Sequence, residues 1–102
     1  MSKKYTLKAL VSWGKIRDYE AKKLEELGFT DVCYEDRMAT INKIGSNYQF
    51  WTDTSRSGWT SYCLATINPY DEIFPTGNKK CYSMWQCIKK YLELVGEQSD
   101  KN

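Results

Sequence analysis

Apolar and polar positions alternate at the start of the chain. Tyr5, Leu7, Ala9, Val11 and Trp13 fall on one phase and Thr6, Lys8 and Ser12 on the other, with Leu10 out of step. A period of two predicts a half-buried strand over 5–13, ended by Gly14. From Lys15 to Leu27 the period lengthens. Ile16, Leu24 and Leu27 recur at helical spacing, and Gly28 is placed to cap that helix. Val32-Cys33-Tyr34 reads as a short strand. Residues 38–44 and 47–53 read as a hairpin joined by Gly45-Ser46 in a type II′ turn. Its register pairs Asn42 with Gln49, Ile41 with Phe50 and Thr40 with Trp51. Ala39, Ile41, Tyr48 and Phe50 then share a core-like face. Trp51 stands out of place on the polar one.

Trp59 to Ile67 is apolar on both phases and reads as a central strand. Residues 68–78 hold both prolines and read as a loop, with Tyr70, Ile73 and Phe74 folding back on the core. Asn78 is a good N-cap for a helix over 79–95, whose apolar stripe includes Cys81, Met84, Trp85, Ile88, Tyr91 and Leu92. The expected class is α+β: a mostly antiparallel sheet of about four strands with two helices, in the order β-α-β-β-β-α. Residues 1–96 form one domain in this reading, and 97–102 a polar tail.

Length and composition narrow the function. At 102 residues the chain is one domain long, and 41% hydrophobic with 27% charged residues suits an ordinary globule. A net charge of +2 argues against a nucleic-acid mimic and against a DNA-coating protein. The first residues lack the continuous apolar stretch of a secretion signal, and no run is long enough for a membrane span. The cytoplasm is the expected compartment. Cys33, Cys63, Cys81 and Cys87 include no CxxC pair, so reduced and mostly buried thiols are expected, and nothing asks for a metal or cofactor.

Candidate chemistry is sparse. There is no histidine, which removes the usual general base and every Ser-His or Cys-His pair. Glu25-Glu26, Glu35-Asp36 and Asp71-Glu72 are adjacent in sequence, so on a helix or strand they do not face one another, and they read as solvated charge. Cys81, near a helix start and beside Lys79 and Lys80, is a candidate reactive thiol. Cys87, six residues on, would not share its helical face. The single glycines punctuate elements and build no phosphate loop. A non-enzymatic protein is expected.

Binding features are stronger. Aromatic residues make up 15% of the chain. Trp51 and Trp59 flank a polar loop holding Arg56, and Trp, Tyr and Arg are the types that dominate protein interfaces. Both tryptophans either anchor a partner or are covered by a helix. The first expectation is a small protein that binds a partner protein through Trp51, Arg56 and Trp59 and modulates or inhibits it, as phage and mobile-element accessory inhibitors of this size do. The alternative is nucleic-acid binding, to duplex or single strands, through Lys79, Lys80, Lys89 and Lys90 with aromatic stacking. Gly77-Asn78-Lys79-Lys80 ahead of a helix resembles the segment that opens the second helix of double-stranded-RNA-binding domains. The resemblance covers residues 77–95 and the coarse element order. This helix departs from it in being rich in Tyr, Trp and Cys rather than alanine. A homodimer through an edge strand is compatible with every reading.

Overall fold

The computed structural model describes residues 3–67, 70–75 and 81–96. Over these the class is α+β, with six strands and three helices rather than four and two. In chain order they are β1 (Lys3–Tyr5), α1 (Leu7–Ser12), α2 (Asp18–Leu27), β2 (Asp31–Glu35), β3 (Met38–Asn42), β4 (Tyr48–Thr54), β5 (Thr60–Thr66), β6 (Asp71–Phe74) and α3 (Met84–Leu94). The strands lie side by side in sequence order, all antiparallel. Residues from all three helices join Val32, Ala39, Ile41, Phe50 and Leu64 in one buried cluster. The helices therefore pack on one face of the sheet.

Three expectations are corrected. The strand expected over 5–13 is mostly helix α1. Thr6 caps it, its hydroxyl accepting from the Ala9 amide at 3.1 Å, and Leu7 and Leu10 are buried one turn apart. Leu10, the exception to alternation, is the residue that reveals the helical period. The last helix begins at Met84, not at 79. Ser83 is its N-cap, and Cys81–Ser83 is not helical. The stretch expected to be loop contains β6. Ile73 and Phe74 pack on the core as expected, whereas Tyr70 is exposed. Residues 76–80, with Asn78, Lys79 and Lys80, and the tail 97–102 lie outside the described residues. No helix among the described residues is long and apolar enough to cross a membrane.

The β3–β4 register is as expected: Asn42 opposite Gln49, Ile41 opposite Phe50, Thr40 opposite Trp51. The turn differs. The Ser46 amide donates to the Lys43 carbonyl, and Gly45, third of the four residues, has φ +88°. That is a type II turn within a longer loop, for which glycine's tolerance of positive φ is required. Gly28 does cap α2, in the left-handed conformation.

The helical layer is fastened by Glu20, which is 2% exposed. Its Oε1 accepts from the Arg17 amide at 2.7 Å, closing the first turn of α2. Its Oε2 accepts from the Trp85 amide at 2.9 Å and from the Ser83 hydroxyl at 3.3 Å, at the start of α3. One carboxylate thus satisfies orphan donors of two helix N-termini, where negative charge also suits the helix dipoles. Beneath the helices, Phe29, Phe50 and Tyr91 meet edge to face with ring centroids 5.0–5.7 Å apart.

Two stability predictions follow. Glu20→Ala should cost about 2–4 kcal/mol in urea unfolding, because it leaves the donors around this buried carboxylate unpaired; Glu20→Gln should recover part of this. Thr52 is fully buried on the covered face, and its hydroxyl has no partner. Thr52→Val should therefore raise stability by about 1 kcal/mol, seen as a higher thermal midpoint.

Candidate functional site

The sheet face away from the helices is where the anomalous Trp51 stands. Period two puts Asn42, Gln49, Trp51, Asp53, Ser61 and Cys63 on this face. Trp51 is half-buried and held in place. Its indole N–H donates to the Gln49 side-chain oxygen, and Gln49 Nε2 donates to Asn42 Oδ1 at 2.6 Å. Gln49 is itself buried, so this ladder across two strands fixes the indole before any ligand arrives.

Three shallow hollows run together across this face. One of about 400 Å³ is lined by Glu35, Asp36, Met38, Thr40 and Asp53 among others. A second of about 280 Å³ lies beside Trp51, with Met38, Asp53, Ser61, Cys63, Glu72 and Cys81. A third of about 400 Å³ is formed by Asp53, Ser55, Ser57, Trp59, Ser61 and Tyr82. Asp53 lines all three, so they form one groove. Its charged lining residues are Glu35, Asp36, Asp53 and Glu72, with no lysine or arginine among the described residues.

At one end of the groove stand two exposed aromatics. Trp59 is 69% and Tyr82 61% exposed, with ring centroids 6.3 Å apart. Trp59 closes the β4–β5 turn, its amide donating to Ser55 Oγ at 3.2 Å and its carbonyl accepting from the Ser55 amide at 2.8 Å. Arg56 is exposed in the same turn. The structure therefore brings Arg56 and Trp59 to one corner and puts Trp51 further along the same groove. Tyr82 is the residue that sequence reasoning missed. It lies in a segment read as helix, whereas in the structure it is non-helical and its ring meets that of Trp59.

The β2–β3 turn forms the other end. Asp36 and Arg37 have φ +54° and +65°, a two-residue turn with both central residues left-handed. Neither is glycine or asparagine, so the turn stores strain beside the groove.

Of the basic candidates, Lys89 is exposed on α3, and Lys90 is half-buried with its Nζ 3.7 Å from Glu93. Both belong to the helical layer. All four cysteines are free of disulfides. Cys63 contacts Glu72 Oε2 at 3.4 Å within the groove. Burial, and then the Glu72 carboxylate, push that thiol up to about 12, so it stays protonated at neutral pH. Cys81 and Cys87 are not on separate faces, as a continuous helix would require. Cys81 precedes α3 in non-helical chain, and its sulfur lies 3.7 Å from that of Cys87.

No family model, curated protein or solved structure matches the chain.

Arg37→Gly should stabilise the fold by about 0.5–1 kcal/mol, since glycine accepts positive φ without strain. A raised urea midpoint with an unchanged slope is the expected reading.

Proposed function

We propose that this protein is a non-enzymatic cytoplasmic binding module that docks on a partner protein and modulates or inhibits it. Its binding surface is the sheet face opposite the helices, with Trp51 at the centre and Trp59, Tyr82 and Arg56 at the rim. The observation that carries this reading is the continuous groove with a fixed indole, an exposed aromatic pair and a carboxylate lining.

The lining also defines the partner's chemistry. Phosphate would meet Glu35, Asp36, Asp53 and Glu72, and like charges opposed across an interface are repelled. A basic segment meets the reverse. Arginine fits best, because its guanidinium stacks on an indole while its N–H fork bonds a carboxylate. The nucleic-acid reading names Lys79 and Lys80, which lie outside the described residues, with Lys89, exposed on α3, and Lys90, 3.7 Å from Glu93.

The test is fluorescence anisotropy with a labelled arginine-rich peptide and, in parallel, labelled duplex and single-stranded nucleic acids at low and moderate salt. The peptide should bind the wild type. Trp51→Ala should weaken it by about 30-fold, the loss of one interface anchor worth about 2 kcal/mol. Asp53→Asn with Glu72→Gln should weaken it further and flatten its salt dependence. Equal binding by wild type and Trp51→Ala would overturn the assignment of this face. Salt-sensitive binding of nucleic acid alone would replace the proposal with the alternative.

A further inference from the structure

We propose that Cys81 and Cys87 form an intramolecular dithiol that a small hydroperoxide converts to a disulfide. The pair adjoins the proposed binding face, since Cys81 lines the hollow beside Trp51, but it does not rest on that reading.

The geometry separates the two roles. Cys81 is 2% exposed and lines the hollow of about 280 Å³ beside Trp51, which Cys87 does not line. Cys87 lies behind it in the core on α3, fully buried. The two sulfurs are in van der Waals contact at 3.7 Å. A disulfide would bring them to about 2.05 Å. Backbone on both sides holds the pair in register. The Cys81 carbonyl accepts from the Tyr62 amide of β5 at 2.9 Å, and Cys87 is fixed within the helix whose start Ser83 and Glu20 cap.

The electrostatics agree with those roles. The Cys87 thiol, hydrogen-bonded to the Cys81 sulfur, is the main influence bringing Cys81 down to about 7, against the opposing effects of burial and of Glu20. The same contact, with burial, pushes Cys87 up. Cys81 is then the thiolate that attacks, and Cys87 the thiol that resolves.

The steps balance. The Cys81 thiolate attacks an oxygen of the hydroperoxide and the O–O bond breaks. The alkoxide leaves and takes up a proton, as an alcohol, or as water when the oxidant is hydrogen peroxide. Cys81 is now a sulfenic acid. The Cys87 sulfur attacks the Cys81 sulfur, the S–S bond forms, the S–O bond breaks, and hydroxide leaves as water with the Cys87 proton. Two thiols and one hydroperoxide give one disulfide, one alcohol and one water.

The test exposes the native protein to hydrogen peroxide, then unfolds it in an alkylating reagent and maps its peptides. The expected result is loss of two of the four thiols, with a single intramolecular Cys81–Cys87 link, while Cys33 and Cys63 are alkylated. Oxidation in urea should lose this selectivity. Cys87→Ser should stop the reaction at a Cys81 sulfenic acid trapped by a dione reagent; the wild-type map stands without this variant if it fails to fold. Oxidation of Cys33 before Cys81, links between chains, or Cys81 and Cys87 both remaining alkylatable would each overturn the proposal.

Discussion

A carboxylate buried away from water must be matched by donors, and Glu20 meets that requirement with the backbone of two helices. Arg17 at the start of α2 and Trp85 at the start of α3 both present amides that their own helices cannot satisfy. Because one side chain serves both, the two helices are held at a common point over the sheet. Met84, Cys87, Ile88 and Tyr91 of α3 and Ala21 and Leu24 of α2 are then committed to a single core with α1. The helical layer is confined to one face.

Among the described residues, no helix packs on the other face. A six-stranded antiparallel sheet covered on one side normally turns polar side chains to water on the other. This face does so with carboxylates, but it also carries an indole whose N–H is already bonded and whose position is set by Gln49 and Asn42. A fixed, half-exposed aromatic loses little side-chain freedom on contact, which is why such residues serve as anchors. The surrounding negative charge then selects the sign of what approaches.

The sequence disclosed these features unevenly. The β3–β4 register was legible because alternation over Ala39–Asn42 and Tyr48–Phe50, with the turn at Gly45, favours the pairing that keeps Ile41 and Phe50 together. The oddity of Trp51 was legible for the same reason. Helix α1 was not, because its six residues are shorter than two turns and mimic alternation at every position but Leu10. β6 was hidden by Asp71-Glu72 and the flanking prolines, which read as loop. The start of α3 was misplaced because Cys81, Met84 and Ile88 fall at helical spacing by accident. Cys81 is not helical, and its place in the core comes from β5 and Cys87, not from a helical stripe. That one error concealed both the Trp59–Tyr82 corner and the paired thiols. Both arise from tertiary placement that no local period encodes.

The central claim is that the helix-free face is the binding face. Its most direct test is a nuclear magnetic resonance titration of isotope-labelled protein with an arginine-rich peptide, reading amide and indole N–H shifts residue by residue. The account predicts perturbations gathered on the Trp51 indole and on Asp53, Trp59, Ser61 and Glu72, with Lys89 and Lys90 unmoved. Shifts confined to the helical layer, or none at all, would contradict it.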